Sequence, residues 1–261
     1  MKDFYSLTVR GRARRLRKLA LNALQHYDLD VLRVRLLTNQ YNGIFRLDTA
    51  DGGRYVLRIH LPDEFSTEEL RSTVMWMDAL ARETDIKLPH PVLNRNGDLV
   101  TLASAPGVPE PRQCAVFTWV PGANLDDQIT PDNVAQQGEL MARLHVHAAT
   151  FQPPAGFTIR RYDQWYPFPE PVVLFDDAYG EHVEDADREM FRYAISRVNA
   201  ALDRLLSSGD PLRAIHADLH QWNVKLSRGQ VYVIDFDDTT LGFPIQDVGT
   251  TLFYYHWDER F

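Results

Sequence analysis

The feature that most constrains this chain is a group of polar residues in its last third. His216 and Asp218 are followed by Asn223 in the pattern H-x-D-x-x-x-x-N, and Asp235 ends an apolar run twelve residues later. A carboxylate at the end of an apolar strand is costly unless it has a partner. Carboxylate and amide oxygens are the ligands that Mg²⁺ prefers, and a carboxylate left free of metal can accept a hydroxyl proton. The spacing therefore predicts a magnesium site beside a hydroxyl-activating acid.

The composition is that of an ordinary globular protein with no signal for export. The 261 residues are 44% apolar and 25% charged, with a net charge of −8. The single cysteine, Cys114, excludes an intrachain disulfide, which is typical of a reducing compartment. No apolar run reaches the roughly 18–20 residues of a membrane span. We expect a cytoplasmic protein with no membrane contact, and the acidic charge argues against general nucleic-acid binding.

The first 120 residues have the pattern of an antiparallel sheet with helices. Runs rich in β-branched and apolar residues predict strands. These runs lie at 31–37, 44–47, 54–60 and 113–120. Ser66 and Glu69 have the spacing of a capping box, so a helix is expected to begin there. Asn96 and Gly97 lie between two short apolar runs and predict a hairpin.

The residues after Pro121 and Gly122 are expected to be mainly helical. One helix is predicted at 131–149, and a second at 186–206 carries apolar side chains at helical spacing that should be buried. These side chains are Met190, Phe191, Ala194, Val198, Leu202 and Leu205. The change of pattern predicts two lobes, 1–120 and 121–261.

The H-x-D-x(4)-N pattern and the strand-ending Asp235 together resemble the aminoglycoside phosphotransferase and choline kinase-like enzymes. The similarity covers most of the chain, including the strand with Arg58 and the Pro-Gly after the run 113–120. It implies a bilobal, protein-kinase-like α+β fold, with an antiparallel sheet and a helix in the N-lobe and a mainly helical C-lobe. It also implies transfer of the γ-phosphate of ATP, with Mg²⁺, to a hydroxyl acceptor. That acceptor would be a small molecule or a protein Ser/Thr.

The resemblance further implies a role for each matching residue. Asp218 would be the catalytic base, His216 would hold its loop, and Asn223 and Asp235 would bind Mg²⁺. Arg58 stands where the family has the third-strand lysine that touches the α- and β-phosphates. The other positions implied in nucleotide binding are Asn39 and Gly43 in the phosphate loop and the hinge residues Phe117, Thr118, Trp119 and Val120.

Three features depart from the family pattern. Arg58 replaces a lysine, and the two side chains are not equivalent at a phosphate site. Thr73 lies near the place of the glutamate that should pair with that cation. Only fourteen residues follow Asp247, the acid expected to organise the catalytic loop, whereas family members usually continue. A short member, or one truncated at the C-terminus, is expected.

Two other functions stay open on the residues alone. The change at Arg58 favours a kinase-like module that binds nucleotide without transferring phosphate. His216, Asp218 and His220 form H-x-D-x-H, a spacing able to ligate a transition metal in a hydrolase. The hydrolase interpretation leaves Asn223 without a role. The residues predict neither the acceptor's identity nor the oligomeric state.

Overall fold

The computed structural model describes residues 3–39, 41–62, 65–168, 170–256 and 260. Its longer helices are α1 (Val9–Leu24), α2 (Thr67–Glu83), α3 (Pro131–Thr150), α4 (Asp185–Ser207) and α5 (Pro244–His256). Its strands before Pro121 are β1 (Val31–Thr38), β2 (Gly43–Thr49), β3 (Arg54–Ile59), β4 (Pro91–Val92), β5 (Thr101–Ala103) and β6 (Arg112–Thr118). The later strands are β7 (Ala123–Asn124), β8 (Arg213–Ile215), β9 (Val224–Ser227), β10 (Gln230–Val233) and β11 (Thr240–Gly242).

One antiparallel sheet dominates the first half of the chain. Within the described residues, its strands have the order β1-β2-β3-β6-β4, and β5 also pairs with β6. Along β3, Leu57 and Ile59 are buried on one face, so Val56 and Arg58 lie on the opposite face. The central strand therefore carries Arg58 toward the rest of the molecule.

The predicted hairpin at Asn96 and Gly97 is wrong. β4 and β5 pair with different parts of β6 instead of with each other. The buried Asn94 side chain accepts the backbone N–H groups of Asn96 and Asp98 at 2.9 and 3.0 Å, and its Nδ2 donates to Thr101 Oγ1. The backbone also closes this turn, through the bonds from Asn94 N–H to the Asp98 carbonyl and from Gly97 N–H to the Asn94 carbonyl. The turn therefore forms, but the strands beside it pair with β6.

Two hydrophobic clusters support the fold. The smaller one packs α1 against the sheet, through residues such as Leu19 and Phe45. The larger one joins α2 to the second half of the chain, where the rings of Trp76 and Phe236 make an edge contact at 5.8 Å. Because this cluster takes residues from both sides of the predicted lobe boundary, the boundary itself stays a prediction.

The second half contains α3 to α5 and two small sheets, β10-β9-β7 and β11-β8. Helix α4 forms where expected, but its apolar stripe is not buried: Met190 is 60% exposed and Val198 45%, while Leu202 is buried. Helical spacing defines an apolar face without specifying the element that covers it. Among the described helices, none has the length and apolarity needed to cross a bilayer.

The backbone at the predicted lobe boundary has a conformation at Gly122 that only glycine adopts readily. Its φ of +103° lies in a region that other residues rarely adopt, and an added Cβ would stand 2.1 Å from the carbonyl oxygen of Leu226. We expect Gly122→Ala to lower the free energy of unfolding by about 2 kcal/mol or more. Gly138→Ala is the matched control, because a Cβ in that α3 position meets nothing within 4 Å and should be neutral or stabilising. Equal melting shifts in the two variants would contradict this.

His60 provides a test of stability against pH. It follows β3, it is 2% exposed, and neither ring nitrogen has a hydrogen-bond partner among the described residues. Burial, and then the charge of Arg58, lower the pKa of His60 from 6.5 to about 3. Between these values the unfolded chain binds a proton that the folded chain does not, so stability is lost as the pH falls from 6.5 toward 3.

We expect denaturant titrations at several pH values to show this loss directly. The free energy of unfolding of the wild-type protein should fall, relative to His60→Leu, by about 1.4 kcal/mol per pH unit over this window. Parallel pH dependences in the two proteins would show that His60 does not carry the effect.

Candidate active site

A buried carboxylate, Asp247, holds the loop that carries the candidate base. It is fully buried and accepts the backbone N–H groups of His216 at 3.3 Å and Ala217 at 2.6 Å. Nε2 of His145 lies 2.7 Å from its Oδ2. Ala217 has a φ of +64°, a conformation that costs a non-glycine residue about 1–3 kcal/mol. The bonds from Asp247 stabilise that turn, and the turn directs Asp218 toward a cavity.

His216 lies inside the same loop. It is fully buried, its ring packs 4.8 Å from that of Phe236, and its Nε2 lies 3.1 Å from the carbonyl oxygen of Ile234. Its Nδ1 accepts the N–H of Asp218 at 3.4 Å. Both ring nitrogens are therefore engaged within the protein, which suits a residue that positions the loop and disfavours a metal ligand.

Asp218 and Asn223 form a hydrogen-bonded pair. Asn223 Nδ2 donates to Asp218 Oδ2 at 2.8 Å and to its backbone carbonyl at 2.9 Å. Nε2 of His220 lies 3.2 Å from the same Oδ2, so one carboxylate oxygen is held from two sides. The Asp218 side chain is 25% exposed, which leaves its other oxygen accessible from the cavity.

Asp235 faces Arg58 across the cleft between the sheet and the second half. Arg58 Nη2 donates to Asp235 Oδ1 and lies equally close, at 2.8 Å, to Asp237 Oδ2. Burial alone would raise the pKa of Asp235, but the charge and hydrogen bond of Arg58 outweigh it and lower the pKa. Asp235 is therefore ionised. Its φ of +63° is not an extended conformation, so the chain turns at this residue after β10 ends.

The residues fit a magnesium ion better than a transition metal. The N–H of Ile234 donates to the carbonyl of Asn223 at 2.9 Å, so the segments that carry Asn223 and Asp235 are adjacent. One amide and one carboxylate suit Mg²⁺, which keeps waters and phosphate oxygens as its other ligands. No group of three or more His, Cys, Asp or Glu residues able to hold a metal ion occurs in the described part of the chain. The hydrolase interpretation is disfavoured by His216, whose two ring nitrogens are both engaged within the protein.

Most of the predicted nucleotide-binding residues line one apolar cavity of about 260 Å³. The predicted residues in its wall are Arg58, Phe117, Thr118, Trp119, Val120 and Asp235. The N–H groups of Thr118 and Trp119 are bonded to the carbonyls of His90 and Arg54, so contacts to a base fall to other backbone groups of this segment. Thr73 of α2 lies in the same wall, as do His60 and Lys225, which sequence reasoning missed.

The predicted phosphate loop enters the site through a residue that sequence reasoning did not single out. Asn42 is buried, its Nδ2 donates to Asp237 Oδ2 at 2.6 Å, and its Oδ1 accepts the N–H of Leu61. Asn39 and Gly43 flank it without lining the cavity, and Gln40 lies outside the described residues. The polar loop composition was the available signal, but only the fold shows which side chain reaches the second half.

Asp218 lines a different cavity, of about 710 Å³. Its wall also contains Asp238, Arg160, Tyr162 and Tyr254. Partial burial and the nearby charges of Asp218 and Asp235 raise the pKa of Asp238. The two cavities are neighbours along the chain, since Asp237 lines the apolar one with Asp235, and the next residue, Asp238, lines the larger one with Asp218.

Comparison with known proteins identifies relatives of this chain. The model of the phosphotransferase enzyme family matches residues 34–261. A homoserine kinase of Methylobacillus flagellatus is 33% identical over 216 residues, which are 82% of this chain and 60% of the relative. The chain thus spans less than two thirds of the length of that relative.

Solved structures agree on the fold. An aminopropanol kinase associated with a microcompartment has a TM-score of 0.66 and 26% identity, over 92% of this chain and 75% of its own. An amicoumacin kinase in complex with AMP-PNP, Ca²⁺ and Ami has a TM-score of 0.71 and 19% identity, over 97% and 74%. The predicted α+β, protein-kinase-like fold is confirmed, and the chain belongs to the phosphotransferase enzyme family.

Proposed function

We propose that this protein transfers the γ-phosphate of ATP to a hydroxyl group of a small molecule. The observation that carries the proposal is that Asp235 and Asp218 line two cavities whose walls contain the consecutive residues Asp237 and Asp238. The apolar cavity suits a nucleotide, and the larger one suits an acceptor. The relatives agree with this, since one is a homoserine kinase and another an aminopropanol kinase, and both compounds are small hydroxyl-bearing molecules. Residues Asn223 and Asp235 are the proposed ligands for Mg²⁺.

Asp218 is the proposed base. Asn223 and His220 hold its Oδ2, so its other oxygen is directed at the acceptor hydroxyl and accepts the proton as the new P–O bond forms. The bond between the γ-phosphorus and the bridging oxygen of ADP breaks on the opposite side. Mg²⁺, when bound, neutralises charge on the phosphate oxygens.

Arg58 is the proposed phosphate contact in place of the family's lysine. A guanidinium has five donors, so one face can hold Asp237 while others reach a phosphate. Because Asn42 also donates to Asp237, this carboxylate is fixed from the phosphate-loop side. Thr73 lies near the place of the glutamate that pairs with this cation in protein kinases, and it lines the same cavity. Asp237 is therefore the proposed partner that positions Arg58 in this chain.

The alternative of a nucleotide-binding module without transfer has one specific observation in its favour, the change at Arg58. The contacts of Asp218 argue against it, because a binding module has no use for a carboxylate held at one oxygen and open at the other.

The proposal includes a cytoplasmic location. The single cysteine of the chain, Cys114, is buried and free, which is typical of proteins in a reducing compartment.

We expect Asp218→Ala to lower ADP release with Mg²⁺-ATP and a hydroxyl acceptor by about 10²- to 10⁴-fold, because the base is lost. Asp203→Ala, an exposed acid on α4, is the matched control and should keep wild-type activity. The melting temperature of both variants is measured alongside. Near-native turnover of Asp218→Ala would exclude Asp218 as the base.

Arg58 and Asp237 should act as a unit on nucleotide binding. We expect Arg58→Gln to raise the KM for ATP about tenfold or more, since a charge-assisted contact to phosphate is lost. Arg58→Lys should keep part of the affinity. Asp237→Asn should raise the same KM, and adding it to Arg58→Gln should cause little further change. Fully additive effects in steady-state kinetics would show that Asp237 does not work through Arg58.

A further inference from the structure

Arg160 is an unusual cation in the wall of the acceptor cavity. Its guanidinium carbon lies over two aromatic rings, 5.6 Å from the centre of Phe65 and 5.4 Å from that of Phe168. Its backbone carbonyl accepts hydrogen bonds from Thr240 Oγ1 at 2.6 Å and from the N–H of Leu241 at 2.8 Å, so the backbone of Arg160 is held in place. In the described part of the chain, no carboxylate pairs with this guanidinium.

A guanidinium held in this way is preorganised for an anion. Contact with two rings restricts its rotamers, and a guanidinium presents its N–H donors in one plane. Carboxylate is the planar group that matches this edge with two parallel hydrogen bonds. Because Arg160 lines the cavity that Asp218 also lines, the anion would belong to the molecule that occupies it.

The same cavity also has an acidic, aromatic region near Asp218 that can bind a cation. Asp238 makes no hydrogen bond or ion pair within the described residues, and it lies close enough to Asp218 for the two charges to repel. The phenol rings of Tyr162 and Tyr254 lie in the same wall. A carboxylate beside aromatic faces is a favourable environment for an ammonium group.

We infer that the acceptor is a zwitterionic alcohol of the hydroxy amino acid class. Its hydroxyl faces Asp218, its ammonium contacts Asp238, and its carboxylate pairs with Arg160. This rests on the proposed function and names the substrate class of the same site. An amino alcohol leaves Arg160 without its anion, and a hydroxy acid leaves Asp238 without its cation. Both should therefore be poorer ligands.

Matched ligand pairs test this without depending on the distance between the charged groups. The hydroxy amino acids L-serine, L-homoserine and 5-hydroxy-L-norvaline are each compared with the amino alcohol that lacks only the carboxylate: ethanolamine, 3-aminopropan-1-ol and 4-aminobutan-1-ol. Binding to the full chain is measured by calorimetry with Mg²⁺ and a non-hydrolysable ATP analogue. In the best-binding pair, we expect the hydroxy amino acid to bind about tenfold or more tightly.

Two variants locate the effect. Arg160→Gln should lower the affinity for the hydroxy amino acid about tenfold and leave that for its amino alcohol unchanged. Asp238→Asn should weaken both members of the pair, and should leave unchanged the binding of the matching hydroxy acid, which has no ammonium. Melting temperatures control for folding. The inference is overturned if the amino alcohol binds as tightly as its partner, if no member of any pair binds, or if Arg160→Gln weakens both members equally.

The proposed function is read separately, from ADP release in the same protein samples. Selective binding of the hydroxy amino acid without ADP release would contradict the proposed function and support the acceptor class. ADP release with the amino alcohols alone would support the function and contradict the acceptor class.

Discussion

The site depends on one buried carboxylate that has no reactive role of its own. Asp247 lies at the start of α5 with no exposed surface, and it accepts two consecutive backbone N–H groups of the loop around Ala217. A buried carboxylate is strongly disfavoured unless it is hydrogen-bonded, so the loop and α5 constrain each other. The left-handed Ala217 and the exposed oxygen of Asp218 both follow from that constraint.

The ion pair between Arg58 and Asp235 joins the sheet to the second half of the chain, and it lies where Mg²⁺ and the phosphates are proposed to bind. The carboxylate proposed to bind Mg²⁺ is paired with a cation of the sheet, and Asp237 and Asn42 extend the pair into a network across the cleft. Nucleotide binding with Mg²⁺ would replace the contact to Asp235 and leave Asp237 to hold Arg58. The network would thereby join the sheet to the second half of the chain at the place proposed for the phosphate groups.

The sequence was most informative where chemistry imposes fixed spacing. The polar motif predicted which residues would lie together, because Asp218 and Asn223 share one short loop and the segment before Asp235 pairs with Asn223. It was weakest where contacts join distant segments: Asn42 reaches Asp237 across 195 positions, which no local pattern indicates. The hairpin at Gly97 failed for a related reason, since its turn forms but β4 and β5 each pair with β6, which no local pattern indicates. The apolar stripe of α4 likewise gave a face without showing what covers it.

The central claim is that a phosphoryl group leaves ATP for an alcohol oxygen at Asp218. Phosphorus NMR of the wild-type protein with ATP, Mg²⁺ and a panel of small hydroxyl compounds tests this most directly, because it identifies the product of the γ-phosphate. We expect a new phosphate monoester resonance that grows together with ADP and that does not form when the Mg²⁺ is chelated before ATP is added. Release of inorganic phosphate in place of an ester, or unchanged ATP with every acceptor, would contradict the account.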